Sequence, residues 1–253
     1  MPAFALFAGA SGYYLRMMEL WNVFDLNGLP MRGAGLTYAL IAVSVAFLVL
    51  VLVFSLRARL KYMSPQGFEN AFGIEPLAYP FIFLIIGLVW LGATVKYFID
   101  IYALESVPLS EVYFSVLSAL SAISVSLFAI EVYQDPRRKT KLVLSLIPTV
   151  FLCFWLILLY RSNAANPILL SYCYQCLAIM FSALGFYFTS GFVYNRPAPA
   201  KSIFAYLAAI FFCFVTLADE HVIYIKLIFI AFIVINVVYA SMLIRNMRRK
   251  EKV

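Results

Sequence analysis

Long apolar stretches dominate this sequence. We mark eight of them, at about residues 3–23, 34–56, 77–102, 109–134, 142–160, 167–194, 202–218 and 222–244. An α-helix needs roughly 20 residues to cross the hydrocarbon core of a bilayer, and the stretches have about this length. The sequence therefore predicts an all-α, polytopic transmembrane helix bundle of about eight membrane-spanning helices. The gaps are short, so residues 1–253 form one integral membrane domain without a soluble one.

The amino-acid composition agrees with this prediction. Hydrophobic residues make up 65% of the chain and charged residues 12%, which is about half the charged share of an ordinary soluble domain. A water-soluble globule is thereby excluded. The first apolar stretch has no basic region before it and continues past a plausible cleavage point, so we expect it to be retained rather than removed as a signal peptide.

The positions of the basic residues predict an orientation. Most of the 19 Lys and Arg residues fall in alternate gaps and in the C-terminal tail, namely Arg57, Arg59, Lys61, Arg137, Arg138, Lys139, Lys141, Arg196, Lys201, Arg245, Arg248, Arg249, Lys250 and Lys252. Loops rich in Lys and Arg stay in the cytoplasm, so we expect a multi-pass protein of the cell membrane with cytoplasmic N- and C-termini. The basic tail then contacts anionic membrane lipids, and we expect no binding of nucleic acid.

Residues suited to catalysis or metal binding are few. His221 is the single histidine, and the four cysteines lie inside apolar stretches, so we expect no catalytic residue, no metal and no cofactor. Two weaker alternatives stay open. The Cys173–Cys176 pair has the CxxC spacing of redox sites, and Asp219–His221 with Glu111 could hold a divalent cation, although a solvated loop is the favoured interpretation of residues 219–221.

Ionisable residues within the apolar stretches gather toward one end of the predicted helices, the outer end. Glycines precede several of them at helical spacing: Gly9 and Gly12 come before Arg16 in the first stretch, and Gly92 comes before Lys96 in the third. Small residues mark the faces on which membrane helices pack, so we expect the charged residues to share those faces. On the same grounds we predict helix contacts at Gly12, Gly92, Ser118 and Ala122.

This pattern predicts an outward-facing polar cavity between the first, third, fourth and sixth helices. Its candidate ligand-binding residues are Arg16, Glu19, Lys96, Asp100, Glu111 and Gln175. An alternative interpretation is structural. Arg16 with Glu19 and Lys96 with Asp100 are opposite charges at i,i+3 and i,i+4, and such pairs can neutralise each other on one helix without any ligand.

The sequence does not specify an activity. We favour a non-enzymatic protein that binds a ligand, a lipid or a partner and acts as a sensor, receptor or accessory subunit. Its partners would be membrane lipids, a small molecule of unknown identity and another membrane protein subunit. A small secondary transporter is the first alternative, disfavoured because few Gly or Pro residues interrupt the predicted helices. An intramembrane lipid-modifying enzyme, with Glu111 or His221 as the acid or base, is the second.

Overall fold

The computed structural model describes residues 1–23, 35–63, 65, 67–73, 78–103, 107–134, 140–164 and 172–247. In this part the chain forms nine helices: α1 (Pro2–Asn22), α2 (Gly35–Lys61), α3 (Gly67–Phe72), α4 (Ala78–Tyr102), α5 (Leu109–Gln134), α6 (Thr140–Ser162), α7 (Cys173–Val193), α8 (Pro199–Thr216) and α9 (Ile223–Asn246). The predicted polytopic helix bundle is confirmed. Residues 167–171 of the sixth apolar stretch, Arg137–Lys139 and most of the basic tail lie outside the described residues.

Seven helices, α2 and α4 to α9, are long and apolar enough to cross a membrane. The eighth long helix is α1, and it begins near the middle of α2, since Phe4 stacks on Phe47 at a ring distance of 6.0 Å. From there α1 runs antiparallel to α2 and parallel to α8. A membrane crossing by α1 and the cytoplasmic location of both termini stay predictions.

Helices α4 to α9 pack in sequence order, and α9 closes the ring by packing against α4. Aromatic side chains fill the interior of this ring. Trp90 lies 5.1 Å from Phe232 by ring centroids, and Trp155 stacks on Phe229 at 5.3 Å. Trp90 also donates a hydrogen bond to Ser118 Oγ at 2.9 Å, which satisfies the buried indole N–H.

Helices α1 and α2 pack outside the ring against α8. Glycines permit the close approach of α1. A Cβ added at Gly9 would lie 2.8 Å from the Phe214 ring, and one added at Gly12 would lie 2.8 Å from a Val215 methyl. The predicted contact at Gly12 is confirmed, as are those at Ser118 and Ala122, which are fully buried.

The predicted contact at Gly92 is wrong. Gly92 is exposed, and a Cβ added there would have no heavy atom within 4 Å. The face of α4 that packs on α5 contains Gly87 instead, where an added Cβ would clash with Ser126 Oγ and lie 3.0 Å from the Ala122 carbonyl. Helix α4 is therefore rotated so that the Gly92 face points away from the bundle.

The short helix α3 lies in the loop between α2 and α4. Phe68, Ala71 and Phe72 are buried, and Phe72 contacts Phe192 and Tyr239 at ring distances of 5.2 and 5.4 Å. This segment thus packs into the end of the ring where α7 ends and α9 ends. The opposite end, where α1 and α8 end, is called the Arg16 end below.

Candidate ligand site

Arg16 is the centre of a buried cluster of charges at the Arg16 end. Its Nε donates to Asp219 Oδ1 and its Nη1 donates to Glu19 Oε2, both at 2.8 Å. The side chains of Arg16 and Glu19 are 1% and 0% exposed, and that of Asp219 is 7% exposed. One guanidinium therefore joins two carboxylates away from water. We call Arg16, Glu19 and Asp219 the charge triad.

The local sequence explains why the triad forms. Glu19 follows Arg16 by three positions on α1, so both side chains lie on the face that Gly9 and Gly12 bring against α8. Helix α8 ends at Thr216, and the turn that follows places Asp219 at the end of α8 beside Arg16. The close approach of α1 to α8 thus brings the guanidinium within reach of both carboxylates.

Each carboxylate of the triad leaves one oxygen without a partner. Glu19 Oε1 and Asp219 Oδ2 are buried and form no hydrogen bond within the described part of the chain, and His221 Nε2 beside them shares this property. Buried acceptors that lack a partner are uncommon and costly in native proteins. Two of these atoms, Asp219 Oδ2 and His221 Nε2, lie 3.9 Å apart, and together they indicate a site that can accept hydrogen bonds from a bound group.

Tyr174 of α7 and His221 of the α8–α9 connection lie beside the triad. The Tyr174 ring centroid lies 5.2 Å from Arg16 Cζ, a distance that suits a cation–π contact. Gln175 is buried at the same turn of α7. The His221 side chain is 19% exposed, and its Nε2 lies 3.9 Å from Asp219 Oδ2. Because His221 is the most exposed of these side chains, we call the edge formed by Asp219 and His221 the mouth of the site.

Burial shifts the pKa values of Asp219 and His221 in the α8–α9 connection. Desolvation raises the pKa of Asp219, and the charge of Arg16 opposes this shift. Desolvation, together with the positive charges of Lys226 and Arg16, lowers the pKa of His221 to about 4. His221 is therefore neutral at pH 7, and its ring can accept a hydrogen bond at Nε2 when Nδ1 carries the proton.

Glu111 belongs to a second polar cluster at the same end, formed by α4, α5 and α9. Tyr97 donates a short hydrogen bond to Glu111 Oε2, and the Tyr97 ring lies 4.7 Å from that of Tyr224. Here the carboxylate is half-buried and already has a partner. This cluster offers less to a ligand than the triad does.

Lys96 and Asp100 pair with each other at 2.5 Å on the outside of α4. Their side chains are 59% and 39% exposed, because they share the face of Gly92 that points away from the bundle. The expectation that charged residues lie on packed faces is therefore wrong for α4, and it is confirmed for Arg16 and Glu19 on α1.

The six candidate residues thus fall into three places. Arg16 and Glu19 lie on α1 and Gln175 lies in the first turn of α7, Glu111 lies between α4 and α5, and Lys96 and Asp100 lie on the outer face of α4. Within the described residues α1 packs beside α2 and α8 and does not reach α4 or α5. The structure does not form the single cavity between the first, third, fourth and sixth helices, and ligand binding by these residues stays a prediction.

Asp219 is the site residue that the sequence predicts to lie in a solvated loop. The structure buries it against Arg16, whereas its neighbour Glu220 is exposed. The sequence gives a reason to expect a partner for Arg16, because a charge within an apolar helix needs one, and Arg16 and Asp219 are both predicted at the outer end. It does not show which residue is the partner, because Arg16 and Asp219 are 203 positions apart.

The structure adds no support for the two weaker alternatives, a divalent-cation site at residues 219–221 with Glu111 and a redox site at Cys173 and Cys176. Within the described residues no group of three His, Cys, Asp or Glu side chains is arranged to hold a metal ion. Cys173 and Cys176 are free thiols, both half-buried.

Comparisons of this chain with models of protein families, with curated proteins and with solved structures found no match.

Proposed function

We propose that this chain is a non-enzymatic membrane protein that binds a ligand at the charge triad and acts as a sensor, receptor or accessory subunit. The observation that carries this proposal is that two buried carboxylate oxygens, Glu19 Oε1 and Asp219 Oδ2, have no hydrogen-bond partner among the described residues. An ion pair with a purely structural role contributes most to stability when all its acceptors are hydrogen-bonded, because a buried acceptor without a partner is destabilising. A bound group that donates to these oxygens would remove that cost.

Packing of the ring supports binding over transport. Trp90, Phe151, Trp155, Phe229 and Phe232 are buried inside the ring of α4 to α9 and contact one another. A path through the ring would require these rings to move apart. The triad lies outside the ring at one end of the bundle, where a ligand can bind without passing through it.

The proposed orientation places the triad on the outer side of the membrane. Reporter fusions after residues 60, 138, 199 and 253 should all report the cytoplasm under this proposal, because the basic residues fall in those gaps. A fusion after residue 138 that reports the opposite side would overturn the orientation.

A thermal-shift screen of small molecules and lipids against the purified chain in detergent tests the binding proposal. Binding to the folded state raises the unfolding temperature. A true ligand should stabilise the wild type and lose its effect in Asp219→Asn, while Asp100→Asn, which removes an exposed carboxylate, should respond as the wild type does. A compound panel that stabilises Asp219→Asn as much as the wild type would place binding elsewhere.

A further inference from the structure

The charge of the triad restricts the class of ligand. One guanidinium faces two carboxylates, so with both ionised the triad carries a formal charge of −1. The three polar atoms without a partner are two carboxylate oxygens, which only accept, and one imidazole nitrogen. An anion would meet acceptors and a negative charge. The site is therefore built for a cation or another hydrogen-bond donor.

The distance across the mouth fits a single donor atom. Asp219 Oδ2 and His221 Nε2 are 3.9 Å apart, which is too far for a direct hydrogen bond. A nitrogen about 2.8 Å from both atoms would bridge them with ordinary hydrogen-bond lengths. Both atoms are buried, so binding requires the partly exposed His221 ring to turn outward. A metal ion requires more ligands at shorter distances, and within the described residues the acidic and imidazole groups have no such arrangement.

We propose that the mouth formed by Asp219 and His221 binds a protonated amine that carries N–H donors, such as a primary ammonium group. This inference rests on the proposed function, and it names the chemical class of ligand for the same site. The ammonium donates to Asp219 Oδ2 and His221 Nε2, and the negative charge of Asp219 strengthens the first of these hydrogen bonds. Access is by way of His221, which is partly exposed.

Lys226 tests the electrostatic part of the proposal. It lies one turn into α9, and its positive charge acts on both Asp219 and His221. This charge repels a second cation at the mouth. Replacement of Lys226 by Gln should therefore tighten ammonium binding, whereas a ligand without charge would be unaffected.

The experiment measures the unfolding temperature of the full chain in detergent at pH 7.5 while methylammonium chloride is titrated. Tetramethylammonium chloride at equal ionic strength is the matched control, because it has the same charge and no N–H donor. We expect a saturable rise with methylammonium alone. In Asp219→Asn the half-maximal concentration should increase roughly tenfold or more, since a charge-assisted hydrogen bond is lost.

Two further variants keep the outcome decisive. Asp100→Asn should bind methylammonium as the wild type does. If Asp219→Asn gives no folded protein, His221→Phe replaces it, because this change removes the second acceptor at a partly exposed position. Equal responses to the two cations, or an unchanged response in the variant, would overturn the inference. If a neutral compound stabilises the wild type but not Asp219→Asn, the result supports ligand binding at the charge triad and contradicts an ammonium ligand.

The ammonium group could come from a free amine or from a lipid headgroup, and the same assay separates these sources. Phosphatidylethanolamine carries a primary ammonium, and phosphatidylglycerol does not. If micelles doped with phosphatidylethanolamine raise the unfolding temperature of the wild type but not of Asp219→Asn, the source is a headgroup. If methylammonium alone has this effect, the source is a soluble amine. If neither has it, no ammonium binds here.

Discussion

Two ion pairs of this protein have similar sequence signatures and different environments. Arg16 with Glu19 and Lys96 with Asp100 are both opposite charges one helical turn apart in apolar helices with glycine nearby. The structure buries the first pair and adds Asp219 to it, and it leaves the second pair largely exposed. Spacing along a helix thus predicts that two opposite charges form a pair. The packing of the helix decides whether that pair is buried or stays in contact with water or lipid headgroups.

The largest effect should come from removal of the shared cation. Arg16→Met leaves Glu19 and Asp219 buried without a counter-charge, so we expect a loss of about 3–5 kcal/mol in the free energy of unfolding, or no folded protein. Lys96→Met is the matched control on the exposed pair. Thermal unfolding in detergent measures both variants. Equal stability of the two variants would contradict the difference between the pairs.

The pH dependence of stability should sharpen the comparison, because only the buried cluster has a titratable histidine. His221 has a pKa of about 4 in the folded protein against 6.5 unfolded. The unfolded state therefore binds more protons between these values, and stability should fall by about 2–3 kcal/mol as the pH drops from 6.5 to 4. The raised pKa of Asp219 changes stability with pH in the opposite direction. This contribution is the same in the wild type and in His221→Gln, so it cancels when the two proteins are compared.

The His221→Gln variant separates the contribution of His221 to the pH dependence of stability from that of Asp219. Its unfolding temperature should decline less than that of the wild type between pH 6.5 and 4, and the two proteins should show parallel behaviour above pH 7. Identical pH profiles would show that His221 is not buried as the structure has it.

The packed and exposed faces of α4 can be compared directly at two glycines. Gly87→Leu must displace Ser126 and the backbone of α5, so we expect a loss of about 1–3 kcal/mol in the free energy of unfolding. Gly92→Leu adds a side chain to open space and should have little effect. Folded yield and thermal unfolding in detergent measure both. A larger loss for Gly92→Leu would show that α4 is rotated the other way.

The smallest effect is expected at the exposed pair. Replacement of Lys96 by Met together with Asp100 by Leu should change stability by about 0–1 kcal/mol, since exposed ion pairs contribute little. The single changes should be similarly small, because neither leaves a buried charge. If a single change were strongly destabilising and the double change were not, the pair would be buried against another molecule.

Helix bounds follow from the sequence to a large extent. The fourth stretch was predicted at 109–134, and α5 has these bounds. The third stretch was predicted at 77–102, and α4 begins one residue later. Long apolar stretches fix helices in this way because a helix satisfies its own backbone hydrogen bonds wherever it is placed. The short helix α3 was not predicted, since its burial depends on the rings of α5, α7 and α9.

The candidate site follows from the sequence only in part. The buried charges Arg16 and Glu19 were predicted from their helical spacing with Gly9 and Gly12, which let α1 approach α8. The same argument was wrong for Gly92, because one glycine on an apolar helix does not specify a face when every face is apolar.

The sequence by itself therefore determined the membrane class, the eight long helices and the local pairing of charges one turn apart, since each depends on residues close together in the chain. Only the tertiary structure decided that α4 turns Lys96 and Asp100 outward and that Asp219 joins Arg16 across 203 positions. Both depend on the rotation and contacts of whole helices, and these are set by how side chains of different helices pack together.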